Sequence, residues 1–206
     1  MWPEKFPPNE MVHRSMSRYF DIVENKKNAK FLLAKKVPAN FVDTDSLEAL
    51  WQYHAKSTEA YFALESQIDN GKDLASIATP EKSYSDLKIL ITYKMLEHCH
   101  FCVRRCGTNR LNNQTGFCGC GNTIAVSSIF AHVGEEPELV PSGTIFTIGC
   151  TMQCLHCQNW TISQWQEGSI EFTSQELAGE VEDLYSMGCR NVNLVGGEPT
   201  PWFGSW

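Results

Sequence analysis

No apolar run in this chain is long enough to cross a bilayer. Stretches such as "ILI" at 89–91 fall far short of the roughly 20 residues that a membrane helix needs. The amino-terminal "MWPEKFPPNE" carries an early acid and three prolines and lacks the apolar centre of a signal peptide. Positive charge is also scarce. Against 24 Asp and Glu stand 17 Lys and Arg, for a net charge of −7 and a pI near 5.4. Nothing here suggests a nucleic-acid partner, which would want a basic face, and the acidic balance speaks mainly to solubility. These absences lead to the expectation of a cytoplasmic protein with neither a membrane nor a nucleic-acid partner. With 206 residues, 42% of them hydrophobic, one or two domains with a real core are within reach.

Cysteine is what the chain has in excess. In a reducing compartment, clustered thiols bind metal or do redox chemistry rather than form disulfides. Of the nine cysteines, five fall between 99 and 120 and three between 150 and 157. Cys189 stands alone and reads as a core thiol.

The segments between the clusters have their own signals. "NKKNAKFLLAKK" at 25–36 reads as a short helix with a solvated Lys face. Asp45 and Glu48 have capping-box spacing. Leu47, Leu50, Trp51, Tyr61, Phe62 and Ile68 then form a helical core stripe that ends at "DNG". A second helix is expected from about Ser85, with Leu87, Leu90, Ile91 and Met95 on one side. Residues 99–122 are too rich in Cys, Gly and Asn to be ordered by a core. "TIAVSSIFAHV" at 123–133 and "TIFTIG" at 144–149 read as strands, separated by the loop "EEPELVPSG". Thr173 and Glu176 form another capping box, followed by Leu177, Val181, Leu184 and Tyr185 at helical spacing and by Gly188 as a stop. "NVNLV" at 191–195 is the next strand and leads into "GGEP". Strand, loop, helix, strand is a βαβ unit with parallel strands. Its strand ends are where α/β folds place chemistry.

"CTMQCLHC" at 150–157 sets Cys150, Cys154 and Cys157 on one short loop. A structural zinc site closes with four ligands, whereas a 4Fe-4S cluster with three thiolates leaves one iron open to a small molecule. The plainer alternative is a zinc site that borrows His156 or a distant ligand. The CxxxCxxC motif, together with "GGEP" at the end of the next strand, resembles the radical S-adenosylmethionine (SAM) superfamily. "CQNWTIS", "NLVGGEPTP", "CHFCVRRCGTNR" and "HVGEEP" look like its pyruvate formate-lyase activating-enzyme-like branch. The resemblance covers about residues 99–201.

That resemblance implies that Cys150, Cys154 and Cys157 ligate a 4Fe-4S cluster whose open iron is chelated by SAM. Reductive cleavage of SAM would then yield a 5′-deoxyadenosyl radical that takes hydrogen from a substrate. Gly196, Gly197, Glu198 and Pro199 would hold the methionine part, since two glycines allow close backbone approach and carbonyls with a carboxylate suit an ammonium. His156 stands where the family often has an aromatic residue beside the adenine. An electron donor such as flavodoxin or ferredoxin is implied, with an unknown protein or small molecule as substrate. The implied fold is α/β. A helical region at 1–98 and a Cys-rich metal-binding segment at 99–122 precede the start of a partial (β/α) barrel at 123–206, with one β-α-β unit.

Upstream, Cys99, Cys102, Cys106 and Cys118 fit a closed zinc site or a second iron–sulfur cluster, with Cys120 as a spare and His98 and His100 as possible nitrogen ligands. Arg104, Arg105 and Arg110 either neutralise thiolate charge or form a solvated patch. His132 and Glu135 receive no role. The chain ends 49 residues beyond Cys157 (206 − 157), where a full barrel needs roughly 250 residues, so a truncated member is expected, with no helix after "GGEPTP". Two function classes stand side by side. One is a radical SAM enzyme; the other is an iron–sulfur, zinc or electron-transfer module, or an inactive fragment, without SAM chemistry.

Overall fold

A computed structural model describes residues 9–205; Met1–Pro8 and Trp206 lie outside the described residues, and so does most of the reading of the amino-terminal decapeptide. The chain divides into two compact units, Asn9–Lys94 and a second that begins at Met95. No described helix is long and apolar enough to cross a membrane.

The first unit is helical: α1 (Glu10–Ser15), α2 (Ser17–Val23), α3 (Lys30–Ala34), α4 (Leu47–Asp69) and the start of α5 (Tyr84–Glu97). The cap of α4 differs from the sequence expectation. Ser46, extended at φ −66 and ψ 152, accepts the Ala49 N–H at 3.2 Å. Asp45 turns back instead and accepts from Val42 N–H at 2.8 Å. The hydroxyl wins because it sits one residue nearer the orphan amides of the first turn. Leu50 and Tyr61 are buried as the stripe predicts, but Trp51 and Phe62 face solvent. Tyr84 is buried and its hydroxyl is satisfied by Thr58 Oγ1 (2.8 Å) and His54 Nε2 (2.9 Å). Burial, and then the nearby Lys88, hold the His54 imidazole below its usual range.

The second unit holds the cysteines. Its strands are β1 (Ile124–His132), β2 (Ser142–Thr147), β3 (Ile170–Phe172) and β4 (Asn191–Gly196), in the order β3-β1-β2-β4. The sheet is mixed: β1 runs antiparallel to both β2 and β3, and β2 runs parallel to β4. The β2-to-β4 connection carries the expected helix, α7 (Ser174–Ser186), and also two elements that the sequence did not announce, β3 and α6 (Trp160–Ser163). Three and four residues are too few to show a hydrophobic period. β2 starts two residues earlier than its apolar run and ends at Thr147, so Ile148 and Gly149 separate it from Cys150. A single 3-10 turn, Thr200–Trp202, follows the "GGEP" loop where no helix was expected.

Helix α7 shows how local chemistry sets an element. Thr173 accepts from Glu176 N–H at 3.2 Å, and the Glu176 carboxylate accepts from Thr173 N–H at 2.8 Å, which completes the capping box. At the other end Gly188 N–H reaches Tyr185 O and Cys189 N–H reaches Leu184 O, a Schellman closure that Gly188 permits at φ +91. Leu177 and Leu184 bury into the sheet, and each contributes about 1.5–3 kcal/mol. Val181 and Tyr185, counted in the stripe, are exposed. Thr173→Ala should cost about 1 kcal/mol through loss of the cap, measured as a lower thermal midpoint with the secondary-structure content unchanged at 25 °C.

The core under the sheet joins Ile124, Val126, Ile145, Ile148, Leu177, Leu184, Cys189 and Trp202 to Cys118 and Cys120. Burial raises the Cys189 thiol above its usual range, as befits a core thiol.

Candidate functional site

The parallel register of β2 and β4 brings two loops together. Thr147 pairs with Gly196, so both strands end at the same level of the sheet. Beyond that level the loops are stitched to each other. Gly197 N–H donates to Thr147 O at 2.8 Å and Glu198 N–H donates to Gly149 O at 3.0 Å. The approach is so close that a Cβ on Gly197 would overlap Gly149 O and lie 3.0 Å from the Ile148 carbonyl carbon. Gly196 takes φ +92, a region open to glycine at little cost.

Cys150, Cys154 and Cys157 are free thiols on the first of these loops. Cys154 is exposed; Cys150 and Cys157 are half-buried. Gln153, at φ +52, turns the chain between the first two. Polar groups already face two of the sulfurs. Met152 N–H points at Cys150 Sγ (3.3 Å), and the buried Ser163 hydroxyl lies 3.3 Å from Cys157 Sγ. Ser163 belongs to α6 and could not be found from the sequence.

Glu198 is oriented by its own loop. Its Oε1 accepts from Thr200 N–H (3.0 Å) and Thr200 Oγ1 (2.6 Å). Among the described residues Oε2 meets only the Thr151 hydroxyl, at 3.5 Å. No Lys or Arg among the described residues forms an ion pair with it. One carboxylate oxygen is thus fixed and the other keeps most of its capacity for a cation. Asn159, from the "CQNW" stretch, donates Nδ2–H to Gly196 O at 3.2 Å, a second tie between the loops. Pro199 is half-buried and caps the 3-10 turn. His156 is exposed.

Residues 144–204 match the Radical SAM superfamily. The matched segment begins in β2 and contains both loops. Among curated proteins, the chain is 34% identical to "Uncharacterized protein MJ0674" of Methanocaldococcus jannaschii over 192 residues, 90% of this chain and 54% of that protein. It is 27% identical to "Uncharacterized protein MJ0808" of the same organism over 123 residues, 51% of this chain and 36% of that protein. The chain therefore spans about half the length, or less, of the curated relatives it matches. No solved structure matches it.

The donor set of the segment that matches the superfamily fits the superfamily's group. Three free thiols on one loop, one met by an N–H and another within reach of a hydroxyl, suit an iron–sulfur cluster, whose sulfurs accept hydrogen bonds. Among the described residues no three Cys, His, Asp or Glu side chains close into a group that would hold a single metal ion. A cubane is wider than one ion, and its ligands stand correspondingly further apart.

The upstream thiols are likewise not gathered around one point. Cys99 and Cys118 are buried, Cys102 is half-buried and Cys106 is exposed. Four thiolates draw together only when metal bonds offset their repulsion. The segment is nonetheless ordered. Cys99 pairs with Gly107 and Thr108 through backbone bonds of 3.0 Å, and Cys106 Sγ accepts from Phe117 N–H at 3.3 Å. The exposed His98 and His100 are tied to each other, Nδ1 of His100 lying 2.7 Å from His98 O.

Cys120, a spare by sequence, is fully buried beneath the 150–157 cysteine loop. A Cβ on Gly149 would overlap its sulfur and lie 2.7 Å from Cys118 O. Cys150 N–H also donates to Cys118 O, at 3.3 Å. The Cys120 thiol, as a hydrogen-bond donor, holds the Cys118 thiol down to about 6, and the same bond together with burial pushes Cys120 up.

The three arginines part company. Arg104 stacks on Phe117, 3.8 Å from the ring centroid, with Nε 3.5 Å from Thr151 O. Arg105 is exposed. Arg110 is buried and belongs to no solvated patch.

Proposed function

We propose that this chain binds a 4Fe-4S cluster through Cys150, Cys154 and Cys157 and SAM beside it through the 196–199 loop, for radical chemistry on a substrate. The observation that carries this reading is the hydrogen-bonded seam between the two loops, Glu198 N–H to Gly149 O, which sets a carboxylate oxygen held by one long hydroxyl bond beside the cysteine loop. When bound, the pair would supply one-electron reductive cleavage of the sulfonium to methionine and a 5′-deoxyadenosyl radical for hydrogen abstraction, the electron coming from an external donor protein. The chain's own residues hold and orient. Glu198 Oε2 and the backbone carbonyls of the glycine pair accept from the ammonium of the methionine part. Met152 N–H and Ser163 Oγ temper the charge on the cysteine sulfurs.

The motifs "CQNWTIS", "NLVGGEPTP" and "CHFCVRRCGTNR" support a place in the pyruvate formate-lyase activating-enzyme-like branch. On that resemblance we take the electron donor to be a flavodoxin or ferredoxin and the hydrogen source to be an unidentified protein or small molecule, with a protein glycyl residue as one candidate. We also assign a second metal, zinc or an iron–sulfur cluster, to Cys99, Cys102, Cys106 and Cys118. Two buried donors in that segment without acceptors among the described residues, Thr108 Oγ1 and Arg110 Nη1, support an anionic metal–thiolate centre there.

The test is a SAM titration of the anaerobically reconstituted chain, read in the electron paramagnetic resonance (EPR) spectrum of the reduced cluster. Glu198→Ala should weaken SAM binding roughly tenfold to a hundredfold, the worth of one charge-assisted hydrogen bond, while iron per chain stays constant. Unaltered affinity in that variant would remove Glu198 from the site.

A further inference from the structure

We propose that Arg110 is a positioning residue for the 196–199 loop, and that through it the cysteine-rich segment buttresses this loop rather than standing apart from it. The inference rests on the proposed SAM site and adds what holds that loop from behind. Arg110 is 1% exposed. Nε and Nη2 both donate to Gly121 O, at 3.1 and 2.5 Å, and Nη2 also donates to Pro201 O at 2.6 Å. The rings of Phe101 and Trp202 each lie 5.9 Å from the guanidinium carbon. No carboxylate among the described residues pairs with it.

A buried guanidinium whose described hydrogen bonds all go to carbonyls, with Nη1 making none, is costly, and an apolar side chain of the same volume would fill the space at less cost. What an apolar side chain cannot do is donate in a planar fork to two carbonyls from separate segments. Those carbonyls are the informative part. Gly121 ends the cysteine-rich segment. Pro201 lies three residues beyond Glu198, in the 3-10 turn whose Thr200 fixes Glu198 Oε1. The same turn is pinned by Trp202, whose Nε1–H donates to Ile148 O at 3.0 Å, two residues before Cys150. The loop therefore enters from β4 and leaves through Arg110 and Trp202. Loosening the exit would let Thr200, and with it the Glu198 carboxylate, swing away from the cysteine loop.

The experiment compares Arg110→Lys and Arg110→Met with the unaltered chain in two measurements. The first is backbone hydrogen exchange in the chain without cluster or SAM. Amides of Trp202, Phe203 and Ser205, which donate to Pro199, Thr200 and Trp202 carbonyls, should exchange roughly tenfold faster in both variants, while those of α7 keep their rates. The second is the SAM titration of the reconstituted cluster. Affinity should fall roughly tenfold at equal iron per chain, and lysine should not rescue it, because a single ammonium lacks the fork. Unchanged exchange at 202–205 would overturn the proposal. So would equal loosening of α7, or variants that fail to fold, since either makes Arg110 a general core residue. If the unaltered chain gives no EPR response to SAM, the proposed function falls, while the exchange result still decides the role of Arg110.

Discussion

Gly197→Ala is expected to abolish the EPR response to SAM and to lower the thermal midpoint of the second unit. The added Cβ would overlap a backbone carbonyl, Gly149 O, and press on the Ile148 carbonyl carbon at 3.0 Å. Neither atom belongs to a side chain that can rotate away. Relief must come from the seam itself, by breaking Glu198 N–H to Gly149 O or by shifting the end of β4 off Thr147. Overpacking of this kind typically costs about 1–3 kcal/mol. The larger loss is geometric, because the carboxylate and the cysteine loop no longer share a frame. Gly179→Ala is the matched control. Gly179 lies inside α7 with nothing within 4 Å of its would-be Cβ. The same chemical change there should stabilise the chain by roughly 0.5–1 kcal/mol and leave SAM binding untouched. Equal behaviour of the two variants would mean that the close approach at Gly197 does not govern the site.

Alanine at Cys150, Cys154 or Cys157 is expected to remove the SAM-responsive cluster signal altogether. Each thiolate would hold a different iron, and a two-cysteine loop leaves two irons open and the cluster labile. The measurements are iron and acid-labile sulfide per chain, the visible iron–sulfur absorbance, and the part of the EPR signal that changes with SAM. Metal that remains in the triple variant, insensitive to SAM, belongs to Cys99, Cys102, Cys106 and Cys118. A SAM-responsive signal that survives in the triple variant would refute the assignment. Because Cys120 and Cys118 O pack directly on Gly149, removing metal from the upstream cysteines should also alter the g-values of the SAM-responsive signal in the otherwise unaltered chain, even though the two ligand sets are far apart in sequence.

What the residue order alone determined was local. Cys150, Cys154 and Cys157 stand within one loop whatever the fold does, and "GGEP" follows a strand because β-branched and apolar residues precede it. The Thr173–Glu176 box and the Gly188 stop were readable because caps are made between residues three to five apart. Even there Ser46 displaced Asp45, since one position in a first turn decides which oxygen reaches the orphan amides. The tertiary structure decided which distant pieces meet. The antiparallel placement of β1, the short β3 and α6, the burial of Cys120 under Gly149, Ser163 beside Cys157, and the reach of Arg110 to Pro201 across 91 residues had no signature in spacing. A periodic pattern records which face of an element is buried. It does not record which loop carbonyl a guanidinium will find, because that pairing depends on where several elements end in space, and on backbone groups that every residue carries alike.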